Sequence, residues 1–172
     1  MGAAQTLTGE RADLLASLAK QRHFLRYTTR GLNDEQAAQR TTVSALCLGG
    51  IIKHVALTER QWTKFVVEGP SAMAFDPATA AQTWTDQFRM LDGETLDGLL
   101  ATYDEVAAQT DELLTSLPDL DAAQPLPRAP WFEPGASWSV RRVVLHLIAE
   151  IAQHAGHADI IREALDGARS MG

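Results

Sequence analysis

The chain has one cysteine, no long hydrophobic run, few aromatic residues and no basic cluster larger than Arg141-Arg142. Each shortage excludes something. Cys47 alone cannot close an intrachain disulfide, so stability has to come from a core rather than from crosslinks. No apolar run approaches the roughly 20 residues that a helix needs to cross a bilayer. The balance of acidic over basic groups leaves a formal net charge of −7 and a pI near 5.1, the opposite of what binding to nucleic-acid phosphates or to an anionic membrane surface requires. Glycine forms no phosphate-binding loop. With no charged-then-apolar leader ahead of the first helical segment, the expected location is a reducing cytoplasm and the expected partner is a small molecule.

At 172 residues and 45% hydrophobic composition, the chain is long enough for one substantial core, and one domain over residues 1–172 is expected. Met1-Gly2-Ala3-Ala4-Gln5-Thr6 fits the loose N-myristoylation pattern, but no polybasic second signal stands beside it, and it is set aside. Apolar residues recur at helical spacing in four long segments: about 9–30, 45–67, 94–117 and 138–166. Asn33 is placed to cap a short piece between the first two. Thr41 to Ser44 offer caps for the second long helix, and Asp76-Pro77 offers one for a short helix reaching Phe88. Pro118 ends the third long helix, and the proline-rich stretch after it cannot be helical. Ser137 or Ser139 can cap the fourth. No alternating strand pattern stands out, so the predicted fold is all-α, an antiparallel four-helix bundle. The long connection between the second and third helices suits a crossover, which would make those two parallel and the second antiparallel to the fourth.

The fourth helix carries the chemistry. Val140, Val143, Val144, Leu147, Ile148, Ile151 and Ala155 form its apolar stripe, and His146, Glu150, His154 and His157 form a second row about a quarter-turn away. A polar row that borders buried surface can converge with a facing helix. On the second helix, His54 holds the same kind of border position. His54, Glu150 and His154 would supply the three His and carboxylate ligands of a catalytic metal site, leaving a position open. The alternative is a set of surface or hydrogen-bonded core histidines. Neither the His-Glu-x-x-His of zincins nor the paired Glu-x-x-His of di-iron bundles is present. Glu59 falls near the middle of the second helix's apolar stripe, where an unpaired carboxylate is costly, so it needs a partner: either an ordinary ion pair or a ligand histidine that it orients. Cys47 reads as a small buried hydrophobe, with a catalytic thiol as the alternative. Gly49-Gly50 inside a helix points to a close approach of other chain. Trp131, Phe132 and Trp138 either wall a pocket or anchor their loop.

Two stretches carry a wider likeness, Gly49-Gly50-Ile51-Ile52-Lys53-His54-Val55-Ala56-Leu57-Thr58-Glu59-Arg60-Gln61-Trp62 and the run from Val144 through His146, Glu150, His154 and His157 to Glu163. They resemble the DinB-like superfamily of four-helix bundles, and most closely the branch that includes mycothiol-dependent maleylpyruvate isomerase. The resemblance implies a metal triad at His54, Glu150 and His154. Many members have a third histidine where Glu150 stands; the isomerase-like branch has glutamate. His157 and His146 then lie outside the triad, as proton-transfer or ligand-supporting groups or as structural histidines, and Glu59 stays beside them as a candidate.

The functional expectation is a divalent-metal enzyme in which water or a low-molecular-weight thiol is activated and delivered to a small electrophile, with thiol transfer or thiol-assisted isomerisation implied by the resemblance. Zinc suits the ligand set, and Ni or Fe also matches it. The competing expectations are a non-catalytic metal- or ligand-binding bundle and a structural dimerisation module. A homodimer is expected, with Trp84, Phe88 and Trp131 outside the main stripes available for contacts.

Overall fold

The computed structural model describes residues 8–74 and 76–170, which leaves the Met1–Thr6 pattern outside it. Four long helices make the bundle: α1 (Glu10–Tyr27), α3 (Leu48–Glu68), α5 (Leu96–Ser116) and α6 (Val140–Asp166), with short helices α2 (Asp34–Ala38) and α4 (Ala80–Asp86) in the connections. Around the bundle α1 packs on α6, α6 on α3, α3 on α5 and α5 on α1. Side-chain pairs give the directions. Arg141 at the start of α6 meets Glu10 at the start of α1, so these two are parallel. Trp62 meets His146 while His54 meets His154, so α3 and α6 are antiparallel. Lys53 reaches Glu94 just ahead of α5, so α3 and α5 run the same way, as the crossover reading expects. Arg26 near the end of α1 pairs with Asp104, while Arg11 near its start donates to the Leu114 carbonyl, so α1 and α5 are antiparallel.

The core is aliphatic with two large aromatics: Leu18, Leu25, Ile51, Ile52, Phe65, Tyr103, Leu147 and Ile151 are fully enclosed. Glu59 is enclosed as well, at 0% exposure. Its partner is Arg22 of α1, which donates to both carboxylate oxygens and also to Asp111 of α5. The side chain lies within this three-helix network, and no hydrogen bond joins it to a histidine among the described residues. An ion pair in this position costs desolvation and is retained where its geometry ties helices in register.

Helix ends depart from the sequence reading where local hydrogen bonds compete. Helix α1 stops at Tyr27, because the Thr28 and Thr29 hydroxyls bond back to the Leu25 and Arg26 carbonyls and Gly31 then takes a positive φ of 69°. Helix α3 starts at Leu48 rather than near 45. Thr42 and Ser44 use their hydroxyls on turns of their own, and Cys47 is the cap, its Sγ accepting from the Gly50 amide. Helix α4 begins at Ala80, since Asp76 and Pro77 are spent on a turn closed by the Ala78 amide on Asp76, and it ends before Phe88. Asn33 makes a full capping box with Gln36, and Ser139 caps α6, both as expected. Leu117 turns extended ahead of Pro118, which ends α5. The proline-rich stretch contains one feature the sequence did not announce, an antiparallel pair of three-residue strands, β1 (Ala123–Pro125) and β2 (Ser137–Ser139). Strands this short carry too few residues to show alternation.

The Arg22–Glu59 pair is testable. Glu59→Ala should destabilise the protein by about 3–5 kcal/mol in urea unfolding, since it leaves the buried guanidinium unpaired. The double change Arg22→Met, Glu59→Leu should recover most of that loss.

Candidate metal centre

The polar row of α6 meets α3 because the two helices are antiparallel and share a buried seam, which sets His54 opposite Glu150 and His154. His54 Nε2 and His154 Nε2 each lie 3.3 Å from the same Glu150 Oε1. One donor atom from each of the three residues fits within 4.8 Å of the others, and this is the His, Cys, Asp and Glu grouping of that kind found among the described residues. The 3.3 Å separations equal the edge of a tetrahedron with bonds of about 2.0–2.1 Å. His54 is 5% exposed and Glu150 half-buried. Hydrogen bonds from His154 and then His54 hold the Glu150 carboxyl far below the usual carboxylate range, although partial burial pushes the other way.

The charge count favours a cation. Among the described residues no Lys or Arg pairs with Glu150; its recorded partners are the two imidazoles. The buried Nδ1 atoms of His54, His154 and His157 have no hydrogen-bonding partner among the described residues either. Two imidazole nitrogens gathered with a carboxylate that has no Lys or Arg partner among the described residues are the chemistry of a divalent metal site. His157 stands beside His154, ring centroids 5.3 Å apart, and offers no donor atom to the group. His146 lies one turn before Glu150 with its ring against Trp62 and Trp138, at 4.8 and 5.2 Å. Burial lowers its pKa, which keeps it neutral at neutral pH.

A segment from the crossover completes the surroundings. Phe88 stacks on the His54 ring at 4.1 Å, and Trp84 meets it edge-on at 6.4 Å. Gly49 and Gly50 make this possible: a Cβ on Gly50 would sit 1.9 Å from the Phe88 carbonyl oxygen, and one on Gly49 would meet the Met90 sulfur at 2.2 Å. The glycine pair therefore marks where the strap of residues 88–90 lies across the start of α3. Phe88 was missed as a neighbour of the site; the paired glycines were its only signal in the sequence. Cys47 belongs to this seat, with its Sγ 3.8 Å from the Phe88 carbonyl oxygen. Trp138 stacks on Trp62 at 4.7 Å with Phe132 edge-on to both, whereas Trp131 projects outward at 72% exposure.

A family model described as mycothiol-S-transferase matches residues 13–167. The chain belongs to the mycothiol-S-transferase family, within the DinB-like bundles. No curated protein matches it. Among solved structures it is similar to a conserved protein from Enterococcus faecalis (14% identity, TM-score 0.63, covering 94% of this chain and 100% of that one). It is also similar to a protein from Streptococcus pneumoniae (14%, 0.64, covering 89% and 90%). A third is YfiT from Bacillus subtilis (15%, 0.62, covering 95% and 91%), described as a probable metal-dependent hydrolase with an unusual four-helix bundle topology. At these identities the likeness shows the fold.

Two outcomes follow from the site's surroundings. Gly50→Ala should force the strap off α3, costing about 1–3 kcal/mol and shifting the Trp84 emission, while Gly49→Ala, which meets only a flexible Met side chain, should cost less. Because the folded-state pKa of His146 is lowered, the unfolded chain binds the extra proton first. Stability is then full above about pH 6.5 and falls as pH drops toward the folded value. In His146→Phe, the difference in melting temperature between pH 7.5 and 5.5 should shrink.

Proposed function

We propose that the chain is a divalent-metal-dependent transferase that delivers a low-molecular-weight thiol to a small electrophile, with His54, Glu150 and His154 holding the ion. The observation that carries this reading is the meeting of two imidazole nitrogens on one carboxylate oxygen, each at 3.3 Å, with no Lys or Arg pairing to that carboxylate among the described residues. Family membership supports the thiol as the co-substrate. A divalent ion held there would supply Lewis acidity, lowering the pKa of a thiol or water brought to the open position. The nitrogen and carboxylate donors suit zinc best, and Fe(II) or Ni(II) next.

The chain's own residues divide the remaining work. Phe88 over His54 and the half-buried surroundings limit water around the donors, which strengthens their electrostatic hold on a bound ligand. His157 borders His154 without joining the three donors, and it is the residue we assign to taking or returning a proton at the reacting sulfur or oxygen. His146, kept neutral by burial, supports the aromatic wall rather than proton transfer. Water in place of the thiol would make the protein a hydrolase, and YfiT is described as a probable metal-dependent hydrolase; product analysis with and without thiol separates the two.

Metal analysis of purified variants tests the assignment. His54→Ala, Glu150→Ala and His154→Ala should each lower metal affinity by about 100-fold or more, because two protein ligands do not hold the ion at micromolar concentration. His157→Ala should keep its metal and lose turnover. If His157→Ala strips the metal as completely as His154→Ala, or Glu150→Ala leaves it in place, the three-residue assignment is wrong.

A further inference from the structure

Histidines that ligate metals are ordinarily aimed from behind: the ring nitrogen turned away from the ion donates to a carboxylate, a carbonyl or a water, and that bond sets the plane of the ring. The torsion itself gives little help, because the last side-chain rotation of histidine is broad rather than confined to narrow wells. Behind His54 no such bond is made among the described residues, where its buried Nδ1 has no hydrogen-bonding partner. The ring is confined all the same. Phe88 lies on one face with centroids 4.1 Å apart and planes 27° apart, and the His154 ring meets it edge-on at 4.7 Å. At that separation the imidazole cannot turn its edge toward Phe88 without driving ring atoms into ring atoms, and turning over means passing through that position.

The contacts that fix Phe88 lie outside the three donors. Gly50 and His54 are four residues apart and so share one side of α3. The Phe88 carbonyl sits over Gly50, where a Cβ would come within 1.9 Å of its oxygen, while the Phe88 ring covers His54. Cys47 Sγ lies 3.8 Å from the same oxygen. Past the strap, Glu94 accepts from Lys53 and from the Leu91 amide, both at 2.7 Å. The backbone that carries Phe88 is therefore placed by α3.

Resting on the reading of His54, Glu150 and His154 as metal ligands, we propose that Phe88 is a positioning residue of this centre. Its ring, stacked on His54, holds the imidazole in the plane that brings Nε2 to Glu150 Oε1, the task that a hydrogen bond to the other nitrogen performs elsewhere. An arriving ion then does not have to freeze the His54 torsion, because the stack has already done so.

Leucine and tyrosine at position 88 separate stacking from the filling of space, since leucine supplies apolar bulk without a ring face. In Phe88→Leu the zinc dissociation constant, measured by competition with a chromophoric chelator, should rise about threefold to tenfold, and in Phe88→Tyr it should stay within about twofold of the parent. Nitrogen-15 shifts of His54 in the metal-free protein at mildly alkaline pH give a second readout. The parent and Phe88→Tyr should show one tautomer, with Nε2–H donating to Glu150, and Phe88→Leu a mixture of the two. If Phe88→Leu folds poorly, Phe88→Met takes its place, because it too fills the space without a ring. Parental zinc affinity in the ringless variant, equal weakening in the ringless and tyrosine variants, or a single Nε2–H tautomer kept without the ring would overturn the positioning role and leave the metal assignment standing. A parent that binds no zinc, yet holds one His54 tautomer that the ringless variant loses and Phe88→Tyr keeps, would support Phe88 as the group that aims His54 at Glu150 and sink the metal reading.

Discussion

Two neighbouring helices of this bundle, α3 and α5, run in the same direction, and most of what is distinctive about the molecule follows from that. A helix of 21 residues is about 31 Å long, so the chain leaving α3 must travel back the length of the bundle before α5 can start. Its two other long connections stay at one end: residues 28–47 link α1 to α3 beside the α3 start, and residues 117–139 link α5 to α6 beside its finish, where Gln124 donates to the Val66 carbonyl. Only the returning segment passes the middle. It carries α4 and brings Phe88 onto His54. The topology thus provides a wall of the candidate site.

The seam between α3 and α6 handles two opposed demands. Its apolar stripes must meet to close the core, while the polar row beside them must keep a carboxylate and three histidines close to that core without stranding charge. The rim position resolves this. Glu150 keeps partial solvent contact and finds two imidazole partners, and a divalent ion would complete the neutralisation. Glu59 shows the other solution, a fully enclosed carboxylate that needs a full countercharge from Arg22. The two glutamates differ in what faces them: Glu59 is answered by a cation of the chain, whereas Glu150 has none among the described residues. That difference is why one reads as architecture and the other as a site.

Glycine, usually a weak residue within a helix, is used here at the one place where another backbone must come closer than any side chain allows. The Gly49-Gly50 pair lies in the first turn of α3, where the helix has spare backbone donors, and the strap crosses there. Cys47, capping that turn through its sulfur, is part of the same local solution.

By itself the sequence determined the properties that depend on distance along the chain. Helical periodicity placed four long helices, and the four-residue spacing of Glu150 and His154 put both on one side of α6. The rim position of His54 followed from the same wheel, because a helix holds neighbours at i and i+4 whatever surrounds it. Tertiary structure decided what depends on distance across the fold. The register of α3 against α6, which brings His54 Nε2 to Glu150, is set by packing along the whole seam. The choice of Arg22 for Glu59 and the seating of Phe88 on His54 join residues 37 and 34 positions apart in sequence. The β1–β2 pair likewise exists only because its two short strands find each other across a loop. Such contacts leave no periodic trace: each is selected by the sum of many weak packing terms, and no local pattern encodes that sum.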